Sequence, residues 1–247
     1  MGRYRLIALD MDGTLLTEEK TISEENRAAI LAAEDAGIKV VFATGRGLQS
    51  ALPYAVELGL ESPLVTVNGG EVWKTPDELL ERHTLKAEQV SRMHELAVQY
   101  DPWFWAYSVS GIFNKENWQD VGKVEEREWL KFGYYTENLE SLLTIRDQLE
   151  KTDLFEITNS HPCNIELNPK GVSKASGLHR LCELYGIGMS QVIAMGDSQN
   201  DIAMIREAGL GVAMGNAQEE VKGLADMVTL SNEEHGVAKI IREHALA

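Results

Sequence analysis

Asp10-Met11-Asp12-Gly13-Thr14 is the run in this sequence whose residue types and spacing most suit chemistry. Two carboxylates stand two residues apart, directly after the apolar run Arg5-Leu6-Ile7-Ala8-Leu9. In a turn, such a pair can converge on one site, and Gly13 lets the turn be tight. Taken alone, Asp10 and Asp12 could equally be turn or cap residues. A second run, Gly196-Asp197-Ser198-Gln199-Asn200-Asp201, follows the apolar run Gln191 to Met195 and brings two more carboxylates. Four acidic side chains at one rim repel one another, so a hard divalent cation is the natural counter-charge. Oxygen donors with retained waters favour Mg2+ over Zn2+, and no His or Cys cluster competes.

Two more positions fit that chemistry. Thr44, in Ala43-Thr44-Gly45-Arg46, follows another apolar run and offers a hydroxyl beside backbone N–H groups that could hold phosphate oxygens. A plain helix N-cap is the alternative. Lys174, in Gly171-Val172-Ser173-Lys174, opens a predicted helix. A cation in a helix's first turn opposes the dipole, so it calls for another reason to be there; a solvated surface lysine is the alternative. Arg46 could meet a substrate carboxylate or a second phosphate, and a surface salt bridge competes equally.

These residues need elements to hold them. The first third alternates: strands at Arg5–Leu9, Ile38–Ala43 and Pro63–Val67, with helices after the Thr21-Ile22-Ser23-Glu24 capping box and over Leu48–Leu58 despite Pro53. Alternation returns after Ser173, with a helix to Tyr185, strands at Gln191–Met195, Gly211–Met214 and Met227–Thr229, and helices between them. Ligands in such sheets bind beyond the strands' carboxyl ends, where all four motifs fall. The segment between differs. It holds all but one of the five tryptophans. It reads as helix Lys86–Tyr100, strands Trp103–Ser108 and Gly111–Asn114, helix Leu139–Lys151, and strands Leu154–Thr158 and Cys163–Asn168, with no element assigned near Trp129–Thr136. The expected fold is α/β: a doubly wound, Rossmann-like parallel-sheet core from residues 1–82 and 169–247, with an α+β domain, 83–168, inserted into it.

Composition bounds the partners. Among 247 residues, 23 Lys and Arg face 39 Asp and Glu, a net charge of −16, which argues against general nucleic-acid binding. No apolar run reaches the length of a membrane span, and the N-terminal run is no secretory signal. Cys163 and Cys182 lack CxxC spacing and read as reduced thiols in a cytoplasmic protein. A monomer or a homodimer is expected.

In this order and at these strand ends, the four motifs resemble the haloacid dehalogenase (HAD) superfamily. The insert, with Asn68-Gly69-Gly70 and Gly171-Val172-Ser173-Lys174, resembles its Cof-type sugar-phosphatase branch. That resemblance implies a Mg2+-dependent phosphatase of small phosphorylated metabolites, such as sugar phosphates, working through an aspartyl-phosphate. It implies Asp10 as nucleophile and Asp12 as general acid, then base. Mg2+ would be held by Asp10, the Asp12 carbonyl and Asp197. Lys174 would bridge Asp10 and phosphate, with Thr44 and the N–H groups of Met11 and Gly45 on the remaining oxygens. Asn200 would contact phosphate or substrate, and Asp201 would steady Lys174 or a metal-bound water. The insert would be a cap, with Trp103, Phe104, Trp105 and Tyr107 as candidate selectors and His161 and Asn164 as weaker ones. Trp103, Trp105 and Tyr107 share one strand face; core packing of the aromatics is the alternative. Two other readings are a phosphomannomutase-like phosphotransferase and a non-catalytic phosphometabolite-binding regulator; the intact motifs argue against the latter.

Overall fold

The computed structural model of the chain describes residues 3–60 and 62–247; Met1 and Gly2, which begin the N-terminal run read above, and Glu61 lie outside them. In chain order the elements are β1 (Leu6–Leu9), α1 (Glu24–Asp35), β2 (Lys39–Ala43), α2 (Leu48–Glu57), β3 (Leu64–Thr66), β4 (Glu71–Thr75) and β5 (Glu78–Arg82). Then come α3 (Ala87–Tyr100), β6 (Trp103–Ser108), β7 (Gly111–Asn114), β8 (Trp129–Tyr135), α4 (Leu139–Glu150), β9 (Phe155–Thr158) and β10 (Asn164–Pro169). The chain ends with α5 (Lys174–Tyr185), β11 (Val192–Gly196), α6 (Ile202–Glu207), β12 (Leu210–Ala213), α7 (Glu219–Leu224), β13 (Met227–Val228) and α8 (Gly236–Ile240). Contacts divide the chain into two units, residues up to Glu81 with Lys174–Ala247, and Arg82–Ser173.

The first unit holds a sheet in the order β13-β12-β11-β1-β2-β3-β4-β5. From β13 to β3 the neighbours run parallel, and β4 turns back antiparallel to β3. The central strands are apolar on both faces, as a doubly covered parallel sheet requires. Ile7 and Leu9 join one cluster with Ala29 and Ile30 of α1 and Val237 of α8. Leu6 and Ala8 join the other, with Ala175, Leu178 and Leu181 of α5. Register makes the site: Leu9 lies level with Met195 on one side and Phe42 on the other. The residues that follow β1, β2 and β11 therefore leave the sheet at one rim.

Two local readings change. Ser23 caps α1, accepting from the Asn26 N–H, whereas Thr21 bonds Thr17. No strand was expected between Gly70 and His83, yet β4 and β5 form a pair joined at Pro76-Asp77, residues that suit a tight turn.

The second unit is a five-stranded antiparallel sheet, β7-β6-β8-β10-β9. The stretch Trp129–Thr136, left without an element in the sequence, supplies its middle strand β8; that expectation is corrected. Lys131 and Gly133 interrupt the apolar run there, and each is present for a neighbour on another strand. Helices α3 and α4 cover one sheet face through Val90, Met93, Leu142 and Ile145. Phe104 lies in that covered core, and Trp103 is 40% exposed on the other face, as strand alternation requires. His161 and Asn164 are spent on their own turn: the Cys163 N–H donates to His161 Nδ1, and the N–H groups of Ser160 and His161 donate to Asn164 Oδ1. Among the described residues, no helix is long and apolar enough to cross a membrane.

Candidate active site

Asp10 continues the ladder beyond β1, its N–H donating to the Met195 carbonyl at 3.0 Å. The chain then turns sharply, with the N–H of Leu16 returning to the Met11 carbonyl at 2.8 Å. Gly13 has φ +82°, and a Cβ there would stand 2.7 Å from the Asp197 carboxylate, so both backbone and space demand glycine. Thr14 Oγ1 donates to Asp197 Oδ1 at 3.0 Å, and Ser198 Oγ donates to Asp197 Oδ2 at 2.8 Å.

Lys174 opens α5 but does not reach solvent. It is fully buried, with Nζ 2.6 Å from Asp10 Oδ1 and 2.7 Å from Asp201 Oδ1. The other Asp201 oxygen accepts the N–H groups of Asp197 and Ser198 at 2.9 and 3.0 Å. Asp201 is thus fully engaged as the anchor of Lys174 and of the loop after β11. Burial opposes the Lys174 charge, but Asp10 and Asp201 outweigh it and hold the ammonium above its ordinary value. Burial, with Asp201 and Asp197 beside it, pushes the Asp10 carboxyl up against the pull of Lys174. Burial and Asp201 push Asp197 from 3.8 to about 6.

Carboxylate oxygens of Asp10, Asp197 and Asp201 all lie within 4.8 Å of one another. One ammonium does not balance three carboxylates, and the donors are hard oxygens, so the residues fit Mg2+ and not a thiolate- or imidazole-seeking metal. A thermal test follows. Asp197 binds its proton more tightly folded than unfolded, so the metal-free protein loses stability as pH rises from about 4 through about 6. A bound cation removes that loss. Added Mg2+ is therefore expected to raise Tm more at pH 7.5 than at pH 5; scanning calorimetry showing an equal or reversed increment would refute the site.

Thr44 is buried at the end of β2, its Oγ1 accepting the Arg46 N–H at 3.1 Å. Gly45 lies in the turn between them, and Met11 is buried, its carbonyl holding the turn after β1. The Asn68 N–H donates to the Thr44 carbonyl at 2.9 Å, and Asn68 Oδ1 accepts from Asn200 Nδ2 at 3.2 Å. This ties together the loops after β2, β3 and β11. Asn200 Oδ1 is buried without a hydrogen-bond partner among the described residues, an acceptor left for something else.

The Asp12 carboxylate lies apart from the three-carboxylate group. Arg46 grips it with Nε and Nη2, at 2.6 and 2.8 Å, and Lys20 Nζ adds a contact at 2.8 Å. The Arg46 guanidinium also stands 5.1 Å from the Tyr54 ring centroid. Burial raises Asp12, but the two cations outweigh it and bring it to about 2. Arg46 thus forms a salt bridge with Asp12.

Residues the sequence reading did not single out complete the arrangement. Thr14 and Ser198 hold Asp197, Lys20 meets Asp12, and Asn216 Nδ2 donates to the Gly13 carbonyl at 2.8 Å. Asn216 is itself held by the Asn232 N–H at 3.1 Å. Thr14 was visible inside the first motif; nothing in the spacing marks Asn216.

The sequence profile of the haloacid dehalogenase-like hydrolases matches residues 7–140 and 115–241. The chain belongs to this family. As a haloacid dehalogenase-like hydrolase it is a phosphatase, and such hydrolases generally use Mg2+. It is 47% identical over 242 residues to the 5-amino-6-(5-phospho-D-ribitylamino)uracil phosphatase YcsE of Bacillus subtilis, covering 98% of this chain and 96% of that one. It is 30% identical over 270 residues to the pyridoxal phosphate phosphatase YbhA of Escherichia coli, covering 98% and 99%. Among solved structures, a haloacid dehalogenase-like hydrolase from B. subtilis superposes with a TM-score of 0.89 at 26% identity, over 97% of this chain and 99% of that one.

Proposed function

We propose that this hydrolase is a Mg2+-dependent phosphomonoesterase in which Asp10 takes the phosphoryl group before water does, and that its substrate is 5-amino-6-(5-phospho-D-ribitylamino)uracil or a close ring-bearing phosphate. The mechanism rests on one observation: a buried Lys174 ammonium joins Asp10 to Asp201 with Asp197 alongside. A carboxylate attacks a phosphate dianion only where cations offset the repulsion. The substrate rests on the 47% identity to YcsE over nearly the whole of both chains.

Asp10 and Asp197, with the Asp12 carbonyl, would hold the metal. When bound, it neutralises phosphoryl oxygens and orients them. In the first half-reaction an Asp10 oxygen bonds phosphorus as the bond to the leaving oxygen breaks, and Asp12 gives that oxygen a proton. In the second, Asp12 takes a proton from water, whose oxygen bonds phosphorus as the bond to Asp10 breaks. Lys174 holds Asp10 oriented in both. Thr44 and the backbone of Met11 and Gly45 take the remaining phosphoryl oxygens, and Asn200 offers its unpartnered atom to the substrate. Arg46 and Lys20 keep Asp12 ionised, which suits its role as base. Its role as acid requires those two cations to turn from it when the anionic substrate arrives.

Asp12→Ala is expected to lower kcat by about 10²-fold or more. The measurement is phosphate release with Mg2+ across a panel of phosphorylated metabolites, with Asp10→Asn as the blank. Little phosphate release, with substrate conversion that needs a bisphosphate activator, would assign phosphotransfer instead.

A further inference from the structure

Two loops outside the four motifs close around the turn that follows β1. In the loop after β12, Asn216 Nδ2 donates to the Gly13 carbonyl at 2.8 Å, and two residues on the Gln218 N–H donates to the Asp197 carbonyl at 2.9 Å. The short run from Asn216 to Gln218 therefore touches the backbone of both loops that carry acidic side chains to the rim. The loop after β13 supports it. The Asn232 N–H donates to Asn216 Oδ1 at 3.1 Å, and Asn232 Nδ2 donates to the Leu16 carbonyl at 2.9 Å. The Gly215 N–H donates to the Leu230 carbonyl at 3.0 Å, and a Cβ on Gly215 would stand 2.8 Å from the Ser231 nitrogen, so the two loops lie backbone against backbone. Glu233 Oε1 accepts the Glu18 N–H at 2.8 Å. The turn is thus held at Gly13, Leu16 and Glu18 by residues more than 200 positions away.

Stability alone does not account for Asn216. The residue is exposed, and water would satisfy its amide and the Gly13 carbonyl nearly as well, so the bond contributes little to folding. What it fixes is direction. Gly13 has φ +82° and no side chain, so the peptides on either side of it are the freest in the turn. The peptide before it carries the Asp12 carbonyl. The peptide after it leads to Thr14, whose hydroxyl holds Asp197. Pinning the Gly13 carbonyl removes that freedom. Mg2+ is an exacting ion in this respect: it demands near-octahedral oxygen donors at about 2.0–2.1 Å, whereas Ca2+ accepts a looser set at about 2.3–2.6 Å. A site that draws donors from the loop after β1 and from the loop after β11 meets the tighter demand only if those loops keep their spacing.

We propose that Asn216 is a positioning residue that sets the spacing between the loops of Asp12 and Asp197, and so makes the rim select Mg2+ over Ca2+. This rests on the metal reading above and adds to it the residue that tunes the choice of cation. Asn232 backs it: by occupying Asn216 Oδ1 it leaves the amide nitrogen turned to Gly13. Asn216 itself touches neither the carboxylates nor the substrate in this role; it acts through the backbone that presents them.

The test takes the Kd of each cation from the rise of Tm with its concentration at pH 7.5, a readout free of catalysis. Asn216→Ala is expected to raise the Kd of Mg2+ about tenfold, as when a residue behind a metal ligand is removed. The Kd of Ca2+ should rise by less than about threefold, since the larger ion tolerates a looser site. The Tm without cation should barely move. The Mg2+ concentration for half-maximal phosphate release from p-nitrophenyl phosphate should rise by the same factor as the Kd, with KM for the ester unchanged at saturating Mg2+. Asn216→Leu, which keeps the bulk but neither hydrogen bond, carries the same expectations. A merely structural contact predicts the opposite: a lower Tm without cation and unmoved cation constants. An unmoved Mg2+ constant in the folded variants, or equal rises for both cations, overturns the spacing role and leaves the phosphatase standing. A wild-type Tm that does not respond to Mg2+ overturns the metal reading, and the role of Asn216 with it.

Discussion

Asp10→Asn is expected to abolish phosphate release, by at least about 10⁴-fold, and to leave the fold intact. The amide keeps the carboxylate's shape but has no anionic oxygen to offer phosphorus. Asp10 sits on a strand end fixed by β2 and β11, so the change is absorbed without moving backbone. The variant loses one of three converging negative charges, which lowers the demand for a cation at the rim. Its Tm in the absence of Mg2+ should equal or exceed that of the wild type, with a smaller gain when Mg2+ is added. Acid-quenched wild-type protein given labelled substrate should carry phosphoryl on the peptide containing Asp10; the variant should carry none. Appreciable turnover by the variant, or label on another peptide, removes Asp10 as nucleophile.

The second large effect belongs to Lys174. Lys174→Met leaves Asp10 and Asp201 buried and facing each other without the ammonium that now separates them. Removing one partner of a buried pair typically costs about 3–5 kcal/mol, so a Tm drop on the order of 10 °C is expected for a chain of this size. Activity should fall about 10²–10³-fold, as when one donor to a phosphoryl or oxyanion group is removed. The pH dependence identifies the cause. Without Lys174 the Asp10 carboxyl rises further, so the folded state binds its proton still more tightly. The variant should then lose stability as pH climbs above about 4, more steeply than the wild type. A pH-independent loss would mean that Lys174 contributes packing rather than charge.

The rim where Asp10, Lys174, Asp197 and Asp201 converge was legible because its signals are local. The apolar run into Asp10 needs no tertiary information to be recognised as a strand ending at a carboxylate. Gln191 to Met195 before Asp197 repeats the same grammar. Lys174 stood out because it offends the helix dipole, and the structure supplies the compensation in Asp10 and Asp201. What stayed hidden depends on partners distant in sequence. In β8, Lys131 and Gly133 break the expected pattern; one answers Glu166, 35 residues on, and the other makes room for Trp105. The grip of Arg46 and Lys20 on Asp12 depends on where two loops end up, as does the reach of Asn216 to Gly13. Strands β4 and β5 were within reach, since Pro76-Asp77 is an ordinary turn signal between two short runs.

The placement of β11 beside β1 bears on how the enzyme is made. Leu6 pairs with Val192, so the strand that ends at Asp10 is synthesised well before its inner neighbour. At ordinary elongation rates the interval is on the order of ten to forty seconds. Residues Arg82–Ser173 are contiguous and form their own sheet, so they can fold while β1 waits. A nascent or released chain that stops before α5 thus owns Asp10 but not Lys174, Asp197 or Asp201. On the proposed mechanism such a chain has no hydrolytic site until β11 and the loop after it are in place.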